Sequence, residues 1–380
     1  MTIPTASFSA FPKDDFGTTI AGFFSDEPEL GNGHLYDHSY LGIDFDMDFP
    51  WSREVEARLR EKFGDSFEER LYLLWENKAP AEEKAYARYA YMDAVTRCVQ
   101  EYFSMQLGNW CHAHGVSYIG HLIEDNDQHA RMAASLGHYY RGLAGQDMAG
   151  IDDIGGQVFP QGEDVSYNNG TFQRRDGEFY HYMLGRLASS SAAIDPHKDG
   201  DSMCEIFGAY GWKEGVQLEK YLIDHFMVRG VNHFVPHAFS AKEFPDPDCP
   251  PHFYAHGNNP QYRHFGKLMA YSNRVCHLIS GGRHIAKVAI LYHGEGEWTG
   301  ETMTSHEVGR KLTDSQIEFD YVPQDVWADR EWYHTRMEQG KLCIHTQEYG
   351  TVVVPKMQFV TTVCRGCPRD DGKWNSGGIY

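Results

Sequence analysis

The chain has 380 residues, a hydrophobic fraction of 41%, a charged fraction of 23% and a formal net charge of −20. These values are ordinary for a globular protein with a sizeable core and predict roughly two domains. The negative charge argues against nucleic acid as a partner, because phosphates require a basic face. No apolar run approaches the roughly 20 residues that span a bilayer, so we expect no membrane partner.

The first part of the chain predicts an alternation of strands and helices. The predicted strands are 18–25, 116–123, 148–156, 202–207 and 231–239. The predicted helices are 52–62, 66–75, 81–114, 128–143, 177–193 and 216–227. Acidic and polar residues follow several of these strands, where βα architectures place their active sites. Five such units are present, whereas a closed barrel of about 250 residues has eight.

The pattern changes after residue 240. Residues 242–251 are rich in Pro and Asp, which is typical of a connection, and 261–280 predict a helix. A second alternation follows. Its predicted elements are a strand at 285–292, a helix at 301–314 and strands at 317–322 and 351–355. We therefore predict a connecting segment over 241–283 and a smaller, truncated α/β domain of flavodoxin-like type over 284–380.

Two short segments carry the candidate chemistry, FFSDEPE at 23–29 and MCEIFGAYGW at 203–212. Each is an apolar run that ends in a carboxylate and continues into turn and aromatic residues, as a buried parallel strand does at the mouth of a sheet. Two acids that face each other across an aromatic cleft can cleave a glycosidic bond. Glu27 and Glu205 are the predicted catalytic pair, with Glu29 as the alternative proton donor. Glu27 could instead be a turn or helix N-terminal carboxylate.

Several other side chains at predicted strand ends are candidates for substrate contacts. Each has a structural alternative, because core histidines with satisfied hydrogen bonds and packed tryptophans are common. The candidates are His121, Glu124, Trp212, Asn232, His233 and His237.

We expect no cofactor and no structural metal. Cys364 and Cys367 form a single CxxC, and zinc requires four ligands. Asp44, Asp46 and Asp48 could offer oxygens to calcium, but no EF-hand loop surrounds them and a solvated loop is the alternative.

The sequence SMCEIFGAYGWKEGVQLEKYLIDHFMVRGVNHFVPHAF at 202–239 resembles the late-barrel region of hydrolases related to the family-106 α-L-rhamnosidases. SDEP at 25–28 is similar to the Asn-Glu-Pro that ends the fourth barrel strand in many clan-A hydrolases. The resemblance implies that Glu27 is the acid/base and Glu205 the nucleophile on the seventh strand. Asp26 stands where clan A has an Asn that binds the sugar 2-hydroxyl, so Asp26 is also a candidate substrate contact.

VAILYHGEGEWTG at 288–300 is similar to the trimerisation-type α/β domain of family-42 β-galactosidases, which implies a homo-oligomer. The implied numbering places residues 1–240 as strands 4–8 of a (β/α)8 barrel, so we expect the chain to be a fragment of a longer enzyme. No signal peptide is visible, but a fragment would have lost one, and the compartment stays open.

The sequence therefore predicts a glycosidase that acts on O-glycosidic bonds of oligosaccharides or glycosides, in plant or host glycans, of the α-L-rhamnoside or β-galactoside class. Clan A retains anomeric configuration and family 106 inverts it, so both outcomes stay open. A separation of about 5–5.5 Å between the carboxyl groups means retention, and roughly 6.5–9.5 Å means inversion. The alternative is a non-catalytic carbohydrate-binding or structural remnant of such an enzyme.

Overall fold

A computed structural model describes residues 13–30, 48–74, 76, 78–123, 127–132, 135–168 and 174–359. The strands are β1 (Gly22–Ser25), β2 (Ser117–Gly120), β3 (Ala149–Asp153), β4 (Ser166–Asn168), β5 (Arg174–Asp176), β6 (Ser202–Ile206), β7 (His233–Pro236), β8 (Val288–Leu291), β9 (Phe319–Val322), β10 (Arg336–Glu338), β11 (Lys341–Ile344), β12 (Gln347–Tyr349) and β13 (Thr351–Val353).

The α-helices are α1 (Arg53–Phe63), α2 (Phe67–Leu71), α3 (Ala81–Val99), α4 (Met105–Ala113), α5 (Tyr139–Gly142), α6 (Gly177–Phe179), α7 (Gly185–Ile194), α8 (Val216–Met227), α9 (Tyr262–Ile279), α10 (Gly294–Thr299), α11 (Ser305–Asp314) and α12 (Asp325–Ala328). Single π-helical turns, Gln100–Ser104 and Tyr180–Leu184, join α3 to α4 and α6 to α7. Within the described ranges, no helix is long and apolar enough to cross a membrane.

Five parallel strands of the first part lie side by side in chain order. β1 pairs with β2, and β3, β6 and β7 form a second parallel ladder. Gly120 and Gly150 bring β2 and β3 together, because a Cβ on Gly150 would lie only 1.6 Å from the Gly120 carbonyl oxygen. The register pairs Glu205 with Asp152 on one side and with Val235 on the other. All five strands therefore present their carboxyl ends to one edge.

A second parallel sheet, in the order β13-β8-β9, lies in the C-terminal part of the chain. The strands β10, β11 and β12 form an antiparallel meander beside it. One apolar core joins the two parts, since it contains Ile206 and Phe226 from the first and Ile290 and Tyr321 from the second. The two sheets thus share a core, and the domain boundary near residue 283 stays a prediction.

The predicted helix over 128–143 is wrong. Among its described residues only Tyr139–Gly142 is helical, and the residues before it are buried without regular structure. The helix predicted over 81–114 is interrupted by the π-helical turn at Gln100–Ser104. The meander and α10 were not predicted. In each case tertiary contacts outweigh the local pattern.

Candidate active site

Three side chains meet at the carboxyl-end edge of the parallel strands. Asp26 follows β1, His121 follows β2, and Glu205 is the fourth residue of β6. Parallel neighbours end at the same edge, so residues that are far apart in sequence converge there.

The His121 ring connects the two carboxylates. Its Nε2 atom lies 3.1 Å from Glu205 Oε2 and 3.3 Å from Asp26 Oδ1. Its Nδ1 atom lies 2.9 Å from the backbone oxygen of Leu122, which can only accept a hydrogen bond, so Nδ1 carries a proton. The contact with both carboxylates is most favourable when Nε2 is also protonated and the ring is an imidazolium.

Asp26 is held in its charged form. The hydrogen bond from His121 lowers the pKa of Asp26, burial opposes this, and the charges of His121 and His237 lower the pKa further. The ring of His237 also lies against the loop after β6, since a Cβ on Gly208 would approach it to 3.5 Å. Its buried Nδ1 atom has no hydrogen-bond partner among the residues that the structure describes. His237 is therefore a candidate polar contact at this edge.

Glu27 follows Asp26 in a strained backbone conformation with φ of 43°, which non-glycine residues rarely adopt. Burial raises the pKa of the nearby Cys249 thiol, and the negative charges of Asp248, Glu27 and Asp152 raise it further. Glu27 and Asp152 thus act electrostatically on the same thiol.

Asp152 is a third acid of the site, which sequence reasoning noted at a strand end but did not assign. It is the register partner of Glu205, so the two side chains leave the sheet on the same face. Cys249 carried no sequence signal, because it lies in a loop after β7. The position of Asp152 at the carboxyl end of a buried strand was the signal that could have found it.

Two loops at this edge are strained and bonded to each other. Phe207 and Ala209 follow β6 with φ of 85° and 55°, and Cys249 has φ of 43°. The N–H of Ala209 donates to the Cys249 oxygen at 3.2 Å, and the N–H of Gly211 donates to the Pro250 oxygen at 2.8 Å. Strained backbone of this kind clusters at functional sites, where surrounding contacts maintain it.

Trp212 lies in the loop after β6 with 45% of its surface exposed. Its ring is in edge contact with Phe244, at 5.7 Å between centroids, and with His252 at 6.0 Å. Phe244 is itself 44% exposed. The two rings form an aromatic surface that is open to solvent.

Asn232 and His233 lie at the opposite, amino-terminal end of β7, which corrects their predicted placement at the site edge. Asn232 accepts the Ser202 N–H at 2.9 Å and donates to the Gly200 oxygen at 3.0 Å. The ring of His233 lies 2.9 Å from Asn232 Oδ1. These contacts hold the starts of the strands together, and we do not include either residue in the site. Glu124, Asp44, Asp46 and the CxxC lie outside the described residues.

A second group of acids lies behind the loop after β6. Burial raises the pKa of Asp153 to about 8, although Tyr210 donates to both of its oxygens. Burial also raises the pKa of Glu214 to about 9, and the Glu219 and Asp153 carboxylates add to the shift. These acids are therefore largely protonated near neutral pH.

Asp26, His121 and Glu205 could also hold a metal ion, since their ligand atoms lie within 4.8 Å of one another. Two carboxylates and one imidazole form a mixed ligand set that suits zinc or manganese better than calcium, which prefers oxygen. The sequence did not predict a metal at these residues.

A groove of about 1020 Å³ lies elsewhere, between α3, α4 and the segment 328–334. Two of its arginines are paired, Arg58 with Glu101 and Arg97 with Asp325 and Asp329. None of the converging acids lines it. We place the candidate site at the strand ends, because catalysis requires groups that converge on one point rather than volume alone.

The described fold is shared with solved glycoside hydrolases. A rhamnosidase from Novosphingobium sp. PP1Y aligns with a TM-score of 0.60 at 15% identity, over 91% of this chain and 29% of that chain. A cold-adapted β-galactosidase from Rahnella sp. R3 aligns with a TM-score of 0.50 at 14% identity, over 80% of this chain and 44% of that chain. The chain thus spans less than half the length of either. No protein-family model matches the sequence, and no curated protein does.

Proposed function

We propose that the protein is a glycosidase that cleaves O-glycosidic bonds with a pair of carboxyl groups. The observation that carries this proposal is the convergence of Asp26 and Glu205 on His121, with Glu27 next in the chain, on a glycoside hydrolase fold. We further propose that β1, β2, β3, β6 and β7 correspond to the fourth to eighth strands of a (β/α)8 barrel. This correspondence assigns Glu27 and Glu205 to the two catalytic positions.

Glu27 is proposed as the general acid that protonates the leaving oxygen. Its position after β1, next to Asp26 and in a strained backbone conformation, supports this role. A general acid must hold a proton until the leaving oxygen takes it, and neighbouring carboxylates favour the protonated form. Glu29 is the alternative donor, since it lies two residues further along the same turn.

Glu205 is proposed as the ionised partner. The His121 ring, whose Nε2 atom lies 3.1 Å from Glu205 Oε2, would fix the direction of this carboxylate. In a retaining reaction Glu205 attacks the anomeric carbon, and in an inverting reaction it activates a water molecule. Both place a negative charge opposite the oxocarbenium-like transition state.

The substrate is proposed to be a glycoside of the α-L-rhamnoside or β-galactoside class, by analogy with the rhamnosidase and the β-galactosidase that share the fold. Trp212 and Phe244 offer an exposed aromatic surface to the apolar face of a sugar or to an aryl aglycone. Asp26 and His237 offer polar contacts.

An aryl-glycoside panel tests the proposal. We expect release of the aryl group from a rhamnoside or galactoside by the native chain, and loss of this release in Glu205→Gln. Isothermal titration with the free sugars distinguishes the alternative, a carbohydrate-binding protein without turnover. If a sugar binds but no panel member is hydrolysed, that alternative is supported. If no sugar binds and no panel member is hydrolysed, both proposals are contradicted.

A further inference from the structure

The sequence HGEGEW at 293–298 is the part of the C-terminal region whose role the proposed chemistry does not explain. It follows β8 and forms most of α10, and it is buried. We call residues 293–298 the HGEGEW segment, and the described residues 127–132 and 135–138 the β2 loop. The β2 loop is the irregular region that follows the strand bearing His121.

Four side chains of the HGEGEW segment contact the β2 loop. His293 Nε2 lies 3.0 Å from Asp127 Oδ2, and Glu295 Oε1 lies 3.4 Å from His138 Nε2. Glu297 accepts from Arg131 Nε at 2.9 Å and from Arg131 Nη2 at 2.6 Å. Trp298 donates its indole N–H to the Ala130 oxygen at 2.8 Å.

The hydrogen bonds of His293 define which of its ring nitrogens faces Asp127 with a proton. The backbone N–H of Ser305 donates to His293 Nδ1 at 3.1 Å, so this nitrogen presents its lone pair. The ring proton of neutral His293 must then lie on Nε2, toward Asp127. Both side chains are almost fully buried, so water does not compete for the contact.

The two glycines of the segment flank Glu295 and permit close packing within the C-terminal part. A Cβ on Gly294 would lie 2.5 Å from the Tyr292 ring, and one on Gly296 would lie 2.9 Å from the Met357 sulfur. Larger side chains at these positions would therefore displace the segment from its own side of the contact.

The anchored loop continues directly from the candidate site. The N–H of His121 donates to the Ser25 oxygen at 3.1 Å, which is the last ladder bond of β2. Leu122, the residue after His121, is fully buried and belongs to the apolar core that also contains Ala130 and Leu136 of the β2 loop. The position of Leu122, and with it the direction of the His121 ring, therefore depends on how the β2 loop packs.

We propose that the HGEGEW segment positions His121 by anchoring the β2 loop, which makes the C-terminal sheet part of the catalytic unit. His293 and Glu297 are positioning residues, since neither touches the converging acids. The catalytic consequence rests on the proposed glycosidase function, whereas the anchoring of the loop and ring does not.

The test compares Asp127→Asn and Glu297→Gln with Tyr140→Phe. Asp127→Asn and Glu297→Gln, the anchor variants, keep the side-chain volume and weaken the contacts between the HGEGEW segment and the β2 loop. Tyr140→Phe is the matched control, because it removes a 2.6 Å hydrogen bond to the Tyr321 oxygen, which also joins the first part to the C-terminal sheet, outside the β2 loop. Amide exchange of peptides over 117–132 should rise about tenfold in the two anchor variants and stay unchanged in the control.

Two further measurements separate positioning from stability. The ring resonance of His121, assigned by its loss in His121→Gln, should shift in the anchor variants and not in Tyr140→Phe. In a folded, active enzyme, kcat should fall about tenfold with KM nearly constant, because the groups that react are misaligned while substrate contacts remain. The proposal would be overturned if amide exchange and the His121 resonance are both unchanged in the anchor variants, or if kcat is unchanged although amide exchange is altered.

If the native chain hydrolyses no glycoside, the proposed function fails. Amide exchange and the His121 resonance alone then test whether the HGEGEW segment anchors the β2 loop.

Discussion

His121 and Glu205 come from different strands, and Nε2 of the first lies 3.1 Å from Oε2 of the second. The ring is only 1% exposed, and its other nitrogen is held by the Leu122 carbonyl. A carboxylate in contact with such a fixed group cannot rotate freely. Glu205 therefore has the defined orientation that a nucleophile or base requires.

Glu205→Gln should lower kcat by roughly 1000-fold or more, because it removes the charge that faces the developing cation. The amide keeps the side-chain volume and one acceptor for His121, so thermal unfolding should change little. Steady-state kinetics on an aryl glycoside measures the effect. Glu338→Gln, on the exposed strand β10, is the control and should match the native enzyme. Equal kcat values in the two variants would remove Glu205 from the mechanism.

Glu27→Gln should affect poor leaving groups far more than activated nitrophenyl glycosides, because a good leaving group needs no proton. Comparing kcat/KM on an alkyl and a nitrophenyl glycoside reveals this dependence. Glu29→Gln, which alters the same turn, should show no such dependence on the leaving group. The reverse result would identify Glu29 as the proton donor.

Asp325→Ala should destabilise the fold by about 3–5 kcal/mol, because it removes the buried carboxylate that pairs with both Arg141 and Arg97 and leaves Arg141, among the described residues, only Asp93 as an ion-pair partner. Asp325 accepts from Arg141 Nε and Nη2, both at 2.8 Å. Urea denaturation measures the free energy of unfolding. Asp248→Ala breaks an exposed pair with Lys242 and should lower the free energy of unfolding far less. Similar losses of unfolding free energy in the two variants would show that the buried pair contributes no more to stability than the exposed pair.

Glu214→Gln should make the protein less sensitive to alkaline pH. The folded-state pKa of Glu214 is raised to about 9, so its folded form binds a proton that the unfolded chain releases near pH 4.5. Between these values stability falls as pH rises, with a slope of up to about 1.4 kcal/mol per pH unit for one proton. Unfolding free energies at pH 6, 7 and 8 should therefore decline less steeply in Glu214→Gln. Parallel declines in the variant and the native protein would contradict the raised pKa.

The alternation of apolar runs with acids at their ends was enough to predict the parallel strands. The run before Asp26 and the run around Glu205 both proved to be strands, because buried parallel strands have a characteristic composition that local reading detects. It was also enough to place His121 and Glu205 as candidates, since each stands at or near a strand end, whereas Asp26 became a candidate through the resemblance to clan-A hydrolases.

Only the tertiary structure decided which of these residues meet. His121 reaches both acids because β2 ends at the same edge as β1 and β6, whereas Asn232 and His233 lie at the other end of β7. The sequence over 128–138 has a helical pattern, but its described residues, 128–132 and 135–138, are held in an irregular path by polar contacts from the HGEGEW segment. Such contacts join residues more than 160 positions apart, and their energy outweighs a local propensity of a few tenths of a kcal/mol per residue.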